Sequence, residues 1–334
     1  MAVLLVTGGA GYIGAHVAKA LALARHRPVV YDNLSRGHRY AVRWGPLAIG
    51  DINDADRLDA VFRTYRPAAV LHFAASSEVS QSVRDPIAYW RNNVAGSLTL
   101  IERALANGVD RFVFSSTCAI YGTPAHIPLA EDSREAPINP YGETKLAVER
   151  LLRSAAAAYG LNAVALRYFN AAGASQTAEI GENHVPETHL VPLVLDAALD
   201  PTRSIAVFGT DYPTPDGSCI RDYVHVDDLA SAHILAVEQL LRGGLTGFVG
   251  LNLGSGRGYS VLEIVKAARR ITGAPITVTL QPRRAGDPAA LVADATQARR
   301  VLGWEPGRSD IGIILRSAWR WSLRKDELSA SELA

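Results

Sequence analysis

Tyr141 and Lys145 stand four residues apart in the run Asn139-Pro140-Tyr141-Gly142-Glu143-Thr144-Lys145. In a helix that spacing sets a phenol and an ammonium side by side on one face. A neighbouring cation stabilises a phenolate, so such a pair can move a proton near neutral pH. Only four of the 34 basic residues are lysine (Lys19, Lys145, Lys266, Lys325), which makes the pairing uncommon by chance.

The elements that must hold this pair are also legible. Asn139 is a helix N-cap and Pro140 suits the first helical position, so a helix is expected over Pro140–Tyr159 with Tyr141 in its first turn. At the other end of the sheet's chain order, Val3–Thr7 reads as a buried parallel strand. It runs straight into Gly8-Gly9-Ala10-Gly11-Tyr12-Ile13-Gly14, followed by a helical pattern to Ala24. Strand, glycine turn and helix together are the context of a dinucleotide fingerprint, here spaced G-x-x-G-x-x-G through Gly8, Gly11 and Gly14. The glycines let backbone approach a pyrophosphate at the helix N-terminus. Asp32, ending the next strand, stands where an acid reads the ribose hydroxyls. A carboxylate there repels a 2′-phosphate, which favours NAD over NADP.

Strands expected at Val3–Thr7, Pro28–Tyr31, Leu47–Ile49, Ala69–Phe73, Arg111–Ser115 and Ala163–Arg167 alternate with helices at Tyr12–Ala24, Asp54–Thr64, Pro86–Asn107 and Pro140–Tyr159. This is the pattern of an α/β, doubly wound parallel sheet of the Rossmann kind. Beyond about Gly173 the pattern loosens. Helices near Leu190–Leu199, Val226–Leu241, Val261–Ile271 and Asp294–Leu302 are separated by Gly- and Pro-rich loops at Gly181–Pro186, Gly209–Gly217 and Pro282–Pro288. The expected organisation is a dinucleotide-binding domain over residues 1–173 and a smaller C-terminal α/β substrate lobe over 174–334, not wholly independent of the first. The polar tail Arg324–Ala334 is expected to fray.

Composition narrows the function. A net charge of +1 leaves no footprint for nucleic acid or a membrane surface. No apolar run reaches the roughly 18 residues of a membrane span. Two cysteines are too few for a disulfide framework, and the chain opens directly on a strand, without a leader pattern; a cytoplasmic protein is expected. The nine histidines show no metal-ligand spacing with cysteine or acid partners, so no metal is expected; His184 and His189 read as locally satisfied loop residues. Cys118 reads as a small buried apolar residue.

With the glycine turn, Asp32, Ser115-Ser116-Thr117 and Tyr141-x-x-x-Lys145 in hand, the chain resembles the extended short-chain dehydrogenase/reductase superfamily. Within it the chain is similar to the UDP-glucose 4-epimerases. That likeness rests on Phe73-Ala74-Ala75, Asn92-Asn93-Val94, Leu166-Arg167-Tyr168-Phe169-Asn170, Pro186-Glu187-Thr188-His189-Leu190, Asp211-Tyr212-Pro213-Thr214-Pro215-Asp216-Gly217, Arg221-Asp222-Tyr223-Val224-His225-Val226 and Arg283-Arg284-Ala285-Gly286-Asp287.

The resemblance implies an NAD-dependent enzyme that inverts C4 of a UDP-sugar through a 4-keto intermediate, interconverting UDP-glucose and UDP-galactose, in galactose metabolism. It gives Tyr141 the role of base, Lys145 that of lowering the phenol's pKa and orienting the ribose, and Thr117 that of holding the 4-oxygen. For NAD it adds Tyr12, Ile13, Asn33, Leu34, Asp51, Ile52, Phe73, Ala74, Asn93 and Phe169. For the substrate it implies Arg221, Arg284 and Asn170 at the diphosphate, Asp287 at the uridine ribose, and Leu190, Ala206 and Phe208 around the uridine. It also implies a homodimer.

Three positions depart from the family's usual pattern. Threonine at 117 replaces a common serine and keeps the hydroxyl; Ser77 stands where some members carry lysine; Leu291 falls at the position that gates the sugar 2-substituent, and is intermediate in bulk. Other readings are a 4-epimerase of UDP-N-acetylglucosamine or of UDP-xylose/UDP-arabinose, and a non-catalytic NAD-sensing scaffold. A 4,6-dehydratase would carry Asp-Glu just after the threonine, where Cys118-Ala119 stand here.

Overall fold

Short runs of valine, leucine, alanine and phenylalanine form strands buried on both faces, as a sheet covered by helices requires. A computed structural model describes residues 1–284 and 287–327. Ala285 and Gly286 of the Pro282–Pro288 loop, and the part of the expected fraying tail from residue 328 onward, lie outside the described residues. The strands are β1 (Val3–Thr7), β2 (Arg27–Asp32), β3 (Leu47–Ile49), β4 (Ala69–His72), β5 (Arg111–Thr117), β6 (Asn162–Tyr168) and β7 (Asn170–Ala172). They continue as β8 (Ser204–Phe208), β9 (Ile220–His225), β10 (Phe248–Leu253), β11 (Gly258–Ser260), β12 (Thr277–Gln281) and β13 (Ala290–Leu291).

Seven strands pair in the order β10-β6-β5-β4-β1-β2-β3, and every pairing is parallel. The order turns back on itself between β1 and β4, which opens a crevice at the strands' carboxyl ends. The expected Rossmann sheet is therefore present, with β10 added to its edge.

Both faces of the sheet are covered. On one, Val17 and Leu21 of the helix Tyr12–Leu23 share a core with Leu229, Ala236 and Val237 of the helix Val226–Leu241. On the other, Leu58 and Phe62, Leu100, and Val148 and Leu152 come from the helices Ala55–Tyr65, Gly96–Ala106 and Pro140–Tyr159. Both β10 and the helix Val226–Leu241 lie beyond residue 173 in the chain, yet complete the first sheet and its core. A cut at residue 173 would strip that face of half its cover.

The smaller lobe gathers the helices Leu190–Leu199, Val261–Thr272 and Ile311–Glu327 around a second core containing Val194, Leu195, Ile264 and Ile314. Its strands are short. β9 pairs antiparallel with β11 and parallel with β13 and β7, while β8 and β12 form a separate parallel pair.

The helix expected over Pro86–Asn107 is not continuous. It runs as α-helix over Pro86–Tyr89, widens to a π-helical turn over Trp90–Ala95 and resumes as α-helix over Gly96–Ala106. The widened turn carries Asn93 inward, where it is buried. Its side chain accepts from the Ser76 N–H at 2.8 Å and donates to the Ser76 carbonyl at 3.0 Å and to Thr144 Oγ1 at 3.1 Å. Such turns commonly mark functional positions.

Candidate active site

Because the large sheet is parallel, its strands deliver their carboxyl ends to one edge. Gly8 follows β1, Asp32 ends β2, Asp51 and Ile52 follow β3, Phe73 and Ala74 follow β4, Thr117 ends β5 and Phe169 follows β6. The residues singled out for the dinucleotide thus share one rim.

The glycine turn fits a dinucleotide on steric grounds. Gly8 has φ +73°, and a Cβ there would come within 2.5 Å of the Ala74 backbone nitrogen. A Cβ on Gly14 would meet the Gly8 carbonyl at 2.3 Å. These two are glycine because turn, helix and the β4 end pack backbone to backbone. A Cβ on Gly11 would meet only the Gly8 carbonyl, at 3.3 Å, so packing does not demand glycine there. Gly11 occupies the cap position of the helix Tyr12–Leu23, whose first N–H groups have no partner within the helix. Bare backbone at a helix start is what a pyrophosphate needs.

Around this turn Asp32 is buried, which raises its carboxyl pKa, while backbone hydrogen bonds oppose the rise. Its oxygens accept from the Ala10 N–H at 3.0 Å and the Leu34 N–H at 2.8 Å. Leu34 adopts the left-handed region, φ 59°, a conformation that costs a leucine roughly 1–2 kcal/mol. The Asp51 carboxylate accepts from Asn33 Nδ2 at 2.8 Å, and hydrogen bonds from Asn53 and Asn33 hold its pKa down against burial. Ile52 is buried against Gly96. Tyr12 donates its hydroxyl to the Gly173 carbonyl at 2.6 Å, and Ile13 packs against the core beneath the sheet. Phe73 lies tilted against His233, ring centroids 4.8 Å apart. Asn93 acts through its bonds to Ser76 and Thr144, so it shapes the rim from behind.

The helix Pro140–Tyr159 begins as expected: the Asn139 side chain accepts from the Gly142 N–H at 2.9 Å and Pro140 takes the first position. Tyr141 is half-buried in its first turn, close enough to the Thr117 hydroxyl for that group to act on its pKa. Thr117 Oγ1 also accepts from the Ala119 N–H at 3.1 Å, which fixes its rotamer. Lys145 is buried one turn on and donates to the Ser115 carbonyl at 2.6 Å. Its ammonium stands 6.0 Å from the Tyr141 ring centroid and 4.7 Å from that of Phe114.

Burial raises the Tyr141 phenol well above its ordinary range, and Thr117 only partly opposes this. Burial also drives Lys145 down to about 7, with Glu149 opposing. The sequence reading gave Lys145 the task of lowering the phenol's pKa. Without a dinucleotide both groups are desolvated, each favouring its neutral form, and the ammonium is directed at a strand carbonyl.

On the substrate side Arg221, in β9, forms an ion pair with Asp287 and donates from its other arm to the Ile220 carbonyl at 2.7 Å. The sequence reading had assigned these two residues to separate groups of the ligand; loop and strand bring their opposite charges together. The Arg284 guanidinium stacks 3.8 Å from the Phe208 ring centroid. Leu291 pairs in register with Arg221 and packs with Cys118, Phe169 and Leu146, so it faces the β5 end that carries Thr117. Asn170 lies in β7 beside Tyr223 of β9. Ala206 pairs with Thr279 in the separate two-stranded sheet, and Leu190 opens the helix Leu190–Leu199. Leu190 packs against the lobe's core. Cys118 is buried and its thiol is pushed up to about 12, in keeping with its reading as a small apolar residue.

One cluster went unread in the sequence, and a second gathers the histidines His184 and His189, read there as loop residues without metal-ligand spacing, with two acid partners. Beneath the Tyr141 helix, buried Glu149 pairs with buried Arg167 at 2.7 Å and accepts from Ser116 Oγ at 2.5 Å. Arg167 also reaches Glu135 at 2.9 Å. Further out, Glu182, His184, Glu187 and His189 converge, their ligating atoms all within 4.8 Å of one another. Their spacing of two, three and two residues was the available signal.

Comparison with known proteins agrees with this geometry. Residues 4–253 match the NAD dependent epimerase/dehydratase family, and the chain belongs to it. A UDP-glucose 4-epimerase of Rhizobium meliloti (strain 1021) is 52% identical over 97% of this chain and 98% of its own length. The crystal structure of a UDP-glucose 4-epimerase from Brucella ovis in complex with NAD superposes with a TM-score of 0.93, at 51% identity over 96% of this chain and 98% of that one. One from Bifidobacterium longum, in complex with NAD+ and UDP, gives 0.92 at 34% identity over 97% and 99%. The resemblance read from the sequence is borne out for the family, the enzyme class and the dinucleotide.

Proposed function

We propose that the chain interconverts UDP-glucose and UDP-galactose, with Tyr141 as the proton-transfer group. The observation that carries this reading is the convergence of Thr117, Tyr141 and Lys145 at the β5 end, beside the glycine turn. NAD+, when bound, supplies the acceptor and later the donor of the C4 hydride, and brings positive charge to the rim. Gly8, Gly11, Tyr12, Ile13 and Gly14 would hold its pyrophosphate and Asp32 its ribose hydroxyls.

As the phenolate, the form that positive charge placed beside it would favour, Tyr141 takes the proton of the sugar 4-hydroxyl as the C4–H bond breaks, leaving a 4-ketone. Thr117 holds the 4-oxygen by a hydrogen bond during this step. The ketone turns while its diphosphate stays held, and Tyr141 returns the proton when a C–H bond forms on the opposite face. No net oxidation results. Burial of both Tyr141 and Lys145 suits this task, since a desolvated phenol and ammonium respond strongly to any charge placed beside them. Arg221 and Arg284 suit a diphosphate because guanidinium forks match its oxygens.

The chain is further read as a cytoplasmic homodimer. Exposed Val79, Val83, Ile87, Trp90 and Leu98 follow one another at intervals of three, four or eight residues, an apolar stripe of the kind a second copy covers. Both cysteines are free and buried, which suits a reducing compartment. Among the described residues no helix is long and apolar enough to cross a membrane.

The deciding assay incubates the purified protein with UDP-glucose, UDP-N-acetylglucosamine and UDP-xylose in turn, without added NAD, and identifies products by NMR. UDP-galactose as the main product supports the reading. Turnover of another UDP-sugar alone reassigns the substrate, and turnover of none leaves an NAD-sensing scaffold.

A further inference from the structure

The loop between Gly181 and the helix Leu190–Leu199 carries four side chains that the epimerase chemistry does not use. Glu182 is buried, and Nδ1 of His184, Nδ1 of His189 and Oε2 of Glu187 are buried atoms without a hydrogen-bond partner. The atoms are nonetheless close. His189 Nδ1 lies 2.7 Å from Glu182 Oε1 and 3.4 Å from Glu187 Oε1, and His184 Nδ1 lies 3.2 Å from Glu182 Oε1 and 3.7 Å from Glu187 Oε2. Close approach without the direction of a hydrogen bond is what donor atoms show when they point at a shared centre.

We propose that Glu182, His184, Glu187 and His189 form a binding site for one divalent cation of the zinc type. Four ligands arranged tetrahedrally at about 2.0–2.2 Å from zinc stand roughly 3.3 Å from one another. The separations of 2.7 and 3.2 Å from Glu182 Oε1 to the two imidazole nitrogens and of 3.7 Å from His184 Nδ1 to Glu187 Oε2 lie about that value, and one donor atom from each of the four residues lies within 4.8 Å of the others. Two imidazoles with two carboxylates suit zinc; magnesium and calcium take oxygen donors throughout. A dication balances the two carboxylates while both imidazoles stay neutral. Two imidazolium ions would balance them equally well, but would aim their N–H groups along hydrogen bonds to the carboxylates.

Four protein donors leave no open position, so the ion is structural and takes no part in the sugar chemistry. Its place explains its use. The His184 ring lies edge-on to Tyr12 of the glycine turn, centroids 6.4 Å apart, and His189 immediately precedes Leu190 at the start of the lobe's helix. From the opposite side Trp321 Nε1 donates to the Glu182 carbonyl at 2.8 Å. The ion therefore fastens the loop that joins the dinucleotide turn to the substrate lobe.

The test uses the untagged full chain, stripped with a chelator and dialysed against zinc, beside Glu182→Gln and His189→Ala variants. Metal is counted by plasma mass spectrometry, the cobalt derivative is read by visible absorption, and thermal unfolding is followed with and without zinc. The wild type should retain about one zinc per chain, give the intense visible bands of tetrahedral cobalt, and melt higher with metal. Each variant should bind at least about tenfold more weakly. A wild-type chain that stays metal-free in excess zinc, with an unchanged melting temperature, overturns the proposal whatever the variants do, and assigns the cluster to imidazolium–carboxylate pairs. Equal zinc binding by wild type and both variants overturns it as well.

Discussion

The Lys145 ammonium donates to the Ser115 carbonyl at 2.6 Å, while Tyr141, one turn earlier on the same helix, lies by the Thr117 hydroxyl two residues further along β5. The strand thus holds Lys145 directly and sets Thr117 beside Tyr141, at a separate point. The helical spacing sets them on one face; the strand determines where each side chain ends.

Tyr141→Phe should fold and bind NAD as the wild type does, yet lose turnover by about 10²–10⁴-fold, the usual contribution of a positioned acid–base group. Epimerisation rates and bound NAD are measured on the same preparation. Retention of most activity removes Tyr141 from the role of base.

Lys145 links stability to pH. Its folded value is lowered to about 7 from the ordinary 10.5, so the unfolded chain binds more protons between those values. The cost of burying the charge is fully present below about 7 and is relieved as pH rises toward 10.5. Lys145→Met removes that cost along with the activity. Urea unfolding of the dinucleotide-free proteins should therefore show the variant's advantage over wild type shrinking as pH rises above neutrality. An advantage that widens with pH would contradict the assignment.

Asp32→Asn should weaken NAD binding and narrow the preference over NADP, because the repulsive charge is gone while an acceptor oxygen remains for the Ala10 or Leu34 N–H. Asp32→Ala should weaken NAD further, since both backbone bonds are lost. Titration of each variant with both dinucleotides separates charge from scaffold; an undiminished preference for NAD in Asp32→Asn would count against Asp32 as the discriminating residue.

Leu291 packs beside Phe169 and Cys118 and pairs in register with Arg221, so its bulk bears on the pocket between the β5 end and the arginine. Leu291→Ser should raise kcat/KM for UDP-N-acetylglucosamine relative to UDP-glucose, and Leu291→Tyr should lower it. Steric room of this kind discriminates by roughly 1–3 kcal/mol, so the change should be graded. A ratio constant across the three proteins would show that another residue is the gate.

Glu149→Gln should destabilise the protein, by less than the about 3–5 kcal/mol of a wholly orphaned buried charge, because it removes the buried one of the two carboxylates that Arg167 pairs with and leaves Glu135 at 2.9 Å. Glu149→Gln combined with Arg167→Met should recover part of that loss. Denaturant unfolding of the single and double variants measures the coupling, and additive losses would mean that the pair is not coupled.

Tyr141, Lys145, the glycine turn and Asp32 were legible in the chain because each depends on local geometry. A four-residue helical spacing, an N-cap with proline after it, and a strand–turn–helix junction all declare themselves within a few residues. The helices Pro140–Tyr159, Leu190–Leu199 and Val226–Leu241 follow their expected limits for the same reason. Tertiary structure alone decided what depends on distant partners. Asn93 is drawn inward by Ser76 and Thr144, which opens a π-helical turn in a stretch whose pattern is continuously helical. β10 joins a sheet whose other strands end at Tyr168, because a parallel edge strand is specified by its pairing with β6 and not by its own sequence. Arg221 and Asp287, 66 residues apart, meet only when β9 pairs with β13. Glu182, His184, Glu187 and His189 lie close in sequence, but only the folding of their loop against Tyr12 and Trp321 turns four polar side chains toward one point.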